Sequence, residues 1–300
     1  MNALTKWVKT RKTIVSAVVI ALMAGVPLTF AVLHPGFPIS DVDLTSRDVW
    51  VTNGEQLLAG RLNRQIDELN GSVVASSPNF DVLQDGDTLF LVDPDSSRIE
   101  SVNAASTEVT SAVDLPAGAE VRFGGSAISI VAPDGKLWVI PSVGDLQFNY
   151  VSTPPLLELG AGGHAVVTLA GTVIAVSPAD GKLYRIADLS SAPESKDFPK
   201  VGEFQLAAIG EQAIVFDQST NELVTESGSK HALGDGQALK LQLTGPDSDV
   251  AVLATADSLL RVDLRSGAVE TLIGGFDGGE STNPDGVAAP VNQGGCAHGA

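Results

Sequence analysis

Four histidines, one cysteine and a recurrent set of aspartates are the residues of this 300-residue chain whose types could do chemistry. His34, His164, His231 and His298 stand far apart, with no HExxH and no carboxylate at motif spacing, so no histidine-based metal centre is written here. His164 falls in GAGGHAVV, just ahead of a strand, and reads as a loop histidine satisfied by its surroundings. Cys296 and His298 are one residue apart, but two donors do not complete a metal site. As the single cysteine, Cys296 has no intrachain partner, and a disulfide to a cysteine outside this chain is its better reading. Asp277, Glu280, Asn283 and Asp285 crowd one stretch without the regular spacing that a hard cation needs from its oxygen ligands. The most repetitive polar feature is the aspartate turn: Asp93-Pro94-Asp95, Asp134-Gly135 and Asp180-Gly181. Cation binding at loop tips and turn geometry both fit these residues. Turn geometry is favoured, since Asp accepts local backbone hydrogen bonds and Gly takes positive φ. Gly160-Ala161-Gly162-Gly163 serves a tight turn between strands rather than a phosphate cradle, and no GxSxG or Walker loop stands in a strand-to-helix context. No catalytic, cofactor-binding or metal-ligating residue is assigned on these grounds. The reading is non-enzymatic, without a cofactor.

The turns belong to a repeated unit. TVIAVSPADGKLYRIADL (Thr172–Leu189) reads as a hairpin, with a short apolar strand at Val173–Val176, a turn on Pro178, Asp180 and Gly181, and a second strand at Leu183–Ile186. Period-two alternation sets Leu183 and Arg185 against Tyr184 and Ile186. The shape recurs as ISIVAPDGKLWVI and LFLVDPDSSRIESV, and more weakly as IVFDQSTNELVTE, VAVLATADSLLRVDL and VWVTNGEQLLAGRLNRQIDEL. Aligned on the apolar residue opening each second strand (Leu62, Ile99, Leu137, Leu183, Leu223, Leu259), the units repeat roughly every 39 residues. That period, with several short strands per unit, predicts an all-β fold, a β-propeller of six to seven blades over residues 46–274. Gln56–Asn70 also fits an amphipathic helix with Leu58, Leu62, Ile66 and Leu69 on one face, but its match to GKLYRIADL favours strands. Ser190–Gly202 reads as a mobile surface loop between units, and residues 275–300 as a Gly/Pro-rich loop or linker. An open blade would leave unpaired backbone groups at its edge. Either Asp41–Trp50 completes the last blade as an outer strand, or the closing strands lie beyond Ala300.

Charge and hydropathy divide the chain. Lys6, Lys9, Arg11 and Lys12 make residues 1–12 a basic stub, so the remainder is more acidic than the formal net charge of −18. Such a domain repels phosphate backbones, which excludes nucleic acid as a partner. Thr13–Leu33 is an uncharged run long enough to span a hydrocarbon core of about 30 Å as a helix. Its length and basic flank favour an uncleaved transmembrane signal anchor with a cytoplasmic N-terminus over a cleaved signal peptide. Residues 34–45, opening HPGFPIS, then form a linker, and everything after it is extracytoplasmic at the plasma membrane.

Two resemblances add to this. DGKLYRIADL resembles the repeat of quinoprotein-like and YVTN-like β-propellers. The superfamily's enzymes stack their quinone on a Trp and an adjacent-cysteine disulfide, which this chain lacks, so their cofactor does not carry over. Over nearly the whole length, VWVTNGEQLLAGRLNRQIDELNGSV, FDVLQDGDTLFLVDP and GGCAHGA resemble the N-terminal region of large membrane-anchored envelope proteins of high-GC Gram-positive bacteria, which carry Ig-like or fibronectin type III domains. That resemblance implies one membrane helix, then a propeller-like region, then tandem β-sandwich modules, of which this chain would be a fragment. It implies a non-catalytic binding or scaffolding module of the cell envelope with an envelope protein or glycan as ligand. A propeller hydrolase or lyase with carboxylates at the channel mouth is the alternative, as is an assembly factor binding strand-like peptides.

Overall fold

The computed structural model describes residues 48–63, 68–234 and 238–274, and its regular elements are all β-strands. Thr13–Leu33, His34, the 277–285 acidic stretch, Cys296 and His298 lie outside the described residues. Among those described, no helix is long and apolar enough to cross a membrane.

The strands form six antiparallel sheets in chain order. The first holds β1 (Asp48–Asn53), β2 (Leu58–Asn63) and β3 (Glu68–Val74). The second holds β4 (Asp81–Asp85), β5 (Thr88–Asp93), β6 (Arg98–Asn103) and β7 (Glu108–Asp114). In the third are β8 (Glu120–Gly124), β9 (Ala127–Val131), β10 (Lys136–Pro141) and β11 (Leu157–Glu158). The fourth comprises β12 (His164–Val167), β13 (Val173–Ser177), β14 (Lys182–Ile186) and β15 (Glu194–Asp197). Next come β16 (Phe204–Ile209), β17 (Gln212–Asp217), β18 (Glu222–Thr225) and β19 (Lys230–Ala232). The sixth sheet is β20 (Ala238–Leu241), β21 (Val250–Thr255), β22 (Ser258–Asp263) and β23 (Val269–Gly274).

The second to fifth sheets are each buried on both faces, which is why the second strand of each reads as a continuous apolar run. Along β5, Leu89 and Leu91 join the core shared with the first sheet, while Phe90 and Val92 join the core shared with the third. In β13, Val173 and Ala175 face the third sheet and Ile174 and Val176 the fifth. β17 divides in the same way between the fourth and sixth sheets. Five cores thus join six sheets in series, and among the described residues no sixth core joins the last sheet to the first. Strands β4, β8, β12, β16 and β20 begin their sheets and pack against one another in the same order, forming the inner lining. These are blades, and the architecture is that of a β-propeller.

The hairpin turns behave as their chemistry predicts. Asp93 Oδ1 accepts the Ser96 N–H at 3.0 Å, and the Ser177 hydroxyl oxygen accepts the Asp180 N–H at 3.2 Å. Gly135 and Gly181 take φ of 84° and 62°. Leu57 and Ser97 hold the corresponding left-handed position without glycine, a strain the closed turn must absorb. The 160–163 glycine cluster is a turn, closed by the Gly163 N–H on the Gly160 carbonyl at 3.0 Å.

Three sequence expectations need correction. First, the described residues within 56–70 form strands in β2 and β3, but the register anchor there is Ala59, fully buried at the second position of β2, and not Leu62. Ala59 stands 40 residues before Ile99, as β1, β2 and β3 each begin 40 residues before β5, β6 and β7. The match to GKLYRIADL misled because Leu57, not Gly60, ends the turn. Second, Ser190–Gly202 is no free loop: β15 pairs with β14, and Phe198 and Val201 are buried. Its strand side chains are all exposed, so the segment has strand hydrogen bonding without an apolar signature. Third, Asp48–Trp50 begins a sheet of its own by pairing with β2, rather than adding an outer strand to the last blade.

That first sheet has three strands where the others have four. By the 40-residue correspondence the strand it lacks is the innermost, the counterpart of β4. The inner edge of β1 accordingly has no partner strand among the described residues. Val49 and Val51 are 40% and 41% exposed, whereas their counterparts Leu89 and Leu91 are 1% and 2%.

Candidate functional site

The inner strands position a cluster of polar side chains that share a cavity. Glu120 opens β8, with Arg122 two residues on and therefore on the same face. His164 opens β12, Phe204 opens β16, and Lys240 lies within β20. Because the inner strands run side by side, their first residues gather at one end of the lining. Together with Gln205, Gln242 and a floor of Val166, Leu206 and Leu241, they line a cavity of about 160 Å³.

Glu120 is the centre of the arrangement. One carboxylate oxygen, Oε2, pairs with Nδ1 of His164 at 2.7 Å, and Oε1 pairs with the guanidinium of Arg122. An ionised carboxylate only accepts, so Nδ1 carries a proton and the ring is oriented by it, leaving Nε2 as the second ring nitrogen. The Phe204 ring meets the imidazole edge to face, centroids 5.0 Å apart. Glu120 thereby ties the third sheet to the fourth, and His164–Phe204 ties the fourth to the fifth.

The amides are committed to structure. Gln205 Nε2 donates to the Leu239 carbonyl at 2.9 Å and its Oε1 accepts the Leu241 N–H at 2.7 Å, bridging β16 to β20. Gln242 Oε1 accepts the Val252 N–H at 2.7 Å, continuing the β20–β21 pairing beyond the bulge. Among the described residues, no group of three or more His, Cys, Asp or Glu is placed to hold a metal ion.

Burial works against the charge of Glu120, but the His164 hydrogen bond and the Arg122 charge outweigh it and lower its pKa below the ordinary 4.5. A carboxyl depressed on folding contributes stability that is present above about pH 4.5 and is lost as pH falls through the folded value. Glu120→Gln is therefore expected to lower stability at neutral pH and to flatten the acid-side decline below about pH 4.5. Denaturation midpoints recorded across that range check it; parallel acid limbs in the two proteins would deny Glu120 this role.

Of the residues singled out in the sequence that lie among the described residues, only His164 reaches this site, and it does so from a strand rather than a loop. His231 lies in β19, away from the cavity. Glu120 and Arg122 carried no sequence signal. Their alternate spacing in EVRFGG, at the same place in its unit as HAVV, is the only pointer.

No protein-family profile matches this sequence, and no curated protein matches it. Among solved structures, Kluyveromyces lactis Hsv2 is similar with a TM-score of 0.53 at 9% identity, over 74% of this chain and 72% of that one. The β-propeller domain of Cps50 (Swd1) from Myceliophteria thermophila gives 0.51 at 11%, over 75% and 86%. The dihydro-heme d1 dehydrogenase NirN gives 0.52 at 12%, over 79% of this chain and 55% of NirN. At such identities the likeness speaks for architecture alone, and these neighbours include an enzyme. The described residues form a β-propeller.

Proposed function

We propose that this chain is a membrane-anchored, extracytoplasmic β-propeller acting as a non-catalytic binding or scaffolding module of the cell envelope, with the channel mouth as its docking point. The observation that carries the non-catalytic reading is the state of the channel-mouth acid. An acid catalyst or shared-proton pair calls for convergent carboxylates with raised pKa. Here Glu120 is, among the described residues, the single carboxylate that lines the cavity, both its oxygens are engaged, and its pKa is lowered. The anchor rests on the uncharged Thr13–Leu33 run beside a basic stub. The resemblance to Ig-like and fibronectin type III envelope proteins supports an envelope protein or glycan as ligand.

One observation favours the rival enzyme reading: an oriented Glu120–His164 pair is a form in which an imidazole base is held. A strand-binding assembly role is favoured by the inner edge of β1, which has no partner strand among the described residues.

Topology is the first test. In sealed cells, external protease is expected to reach a tag after Ala300 and to spare a tag before Met1. Ile20→Asp should impair insertion by roughly 2.5–3.5 kcal/mol plus the lost Ile contribution. A shortened, secreted product would replace the anchor with a cleaved signal peptide.

A further inference from the structure

The polar side chains of the channel-mouth cavity are almost all spent on one another or on the backbone. Glu120 accepts from Arg122 on one oxygen and from His164 on the other. The Arg122 guanidinium also donates to the Val121 carbonyl at 3.3 Å, and Lys240 has a partner of its own. Gln205 bonds the backbone through both ends of its amide. So does Gln242, whose Nε2 donates to the Leu243 carbonyl at 3.3 Å. His164 is the exception. Its Nδ1 is held by Glu120 and its ring meets Phe204 edge to face, but among the described residues Nε2 has no hydrogen-bond partner. The side chain is 36% exposed, so that nitrogen is not sealed in the core. With the proton on Nδ1, the neutral ring presents a lone pair at Nε2, which accepts a hydrogen bond. Around it the lining is apolar, made of Phe204, Val166, Leu206, Leu241 and Leu243, with the Thr244 hydroxyl able to turn to suit a ligand. A sugar ring brings several hydroxyls and would leave most of them unpaired against such a lining, at a cost for each. A ring with a single donor matches the single open acceptor. The cavity, about 160 Å³, has room for one ring and not for a polymer segment.

We propose that the channel mouth binds a phenol-type ring, whose O–H donates to Nε2 of His164 while the ring packs against Phe204. This rests on the reading of the channel mouth as the docking point and names the ligand class it takes. Two sources offer that chemistry: the tyrosine side chain of a partner protein and a free phenolic compound. Both carry the same ring and hydroxyl, and they differ in the amide chain that only the first brings with it.

Titration calorimetry on the full chain in detergent micelles tests this, at about pH 8.5, above the usual range of imidazole protonation. The probes are N-acetyltyrosinamide, its O-methyl ether, phenol and methyl glucoside. N-acetyltyrosinamide is expected to bind at least about fivefold more tightly than its ether, which has the same ring and no donor on it. In His164→Phe, which keeps a ring against Phe204 and removes the acceptor, the two should bind alike. That variant also releases Glu120, so the unaltered chain carries an independent readout. The nitrogen NMR resonance of His164 Nε2 should shift with N-acetyltyrosinamide and stay in place with the ether. Phenol binding as tightly as N-acetyltyrosinamide identifies a free phenol as the source, and tighter binding of the amide a tyrosine side chain. Equal binding of the amide and its ether, lost in Phe204→Ala, would overturn the inference while leaving the docking point standing. A preference for methyl glucoside over phenol would do the same and make the ligand a glycan. Phenol or amide binding that leaves the His164 resonance unmoved would overturn the inference. The absence of heat with every probe would overturn the inference and the docking point together.

Discussion

Leu183→Ala is expected to cost about 2–5 kcal/mol of stability, against less than about 0.5 kcal/mol for its neighbour Lys182→Ala. Leu183 is 1% exposed and packs in the core between the fourth and fifth sheets, among Ile174, Val176, Val215 and Val224. Truncation removes apolar contact from both sheets at once, and strands pinned by ladders on either side have little freedom to collapse into the space. Lys182, one residue earlier, points outward, its side chain 40% exposed and paired at 3.5 Å with a fully solvated Asp197. Exposed pairs of this kind contribute little. Chemical denaturation of the two variants side by side gives the answer. Comparable losses would put the β14 register in error by one residue, since that slip exchanges the two faces.

A second contrast sets two glycines of the same backbone hand against each other. Gly86 and Gly135 both sit at positive φ, 56° and 84°. A methyl at Gly86 meets nothing within 4 Å, so Gly86→Ala should cost only the left-handed penalty, about 1–2 kcal/mol. At Gly135 the methyl would overlap the backbone of Gly160. The two segments are also tied by a hydrogen bond from the Leu159 N–H to the Gly135 carbonyl, 2.8 Å long. Neither side can retreat without breaking that bond and the 160–163 turn. Gly135→Ala should therefore cost about 1–3 kcal/mol beyond Gly86→Ala. Thermal midpoints compare them directly; similar midpoints would mean that β10 and the glycine turn do not approach as described.

The legible part of this fold was the part governed by local rules. Strands such as Ala127–Val131 and Val173–Ser177 announce themselves because burial on both faces leaves no room for a polar residue on either. Their turns do so because a side-chain oxygen and a left-handed residue are needed at fixed places. Less legible were the segments whose order comes from a neighbour. Glu194–Asp197 is a strand only because β14 offers it an edge, and nothing in its own exposed side chains records that. Ala59 hid the register of the first unit because a small residue marks a buried position as faithfully as a leucine but attracts no notice. The site was illegible for a further reason. Glu120 and His164 are 44 residues apart in sequence, and only the lateral packing of β8 on β12 brings them together. Asp134 and Asp180, weighed as loop-tip ligands, are turn residues, and the acid of the cavity, Glu120, stands in a strand without a motif.

The series of five cores has a consequence for how the molecule comes apart. Sheets two to five are each held by two neighbours, whereas the first and sixth are each held by one among the described residues. Nearest-neighbour coupling of this kind is the energetics of a stacked array, in which stability is a sum of unit and interface contributions and loss proceeds from the ends. The weak terminus is then the first sheet, with three strands and two solvent-facing valines. Among the described residues, fraying there would release one interface before the next is exposed, which predicts opening toward β5 in steps. The cavity draws its lining from the third to the sixth sheets, so opening that stopped at the first sheet would leave it whole.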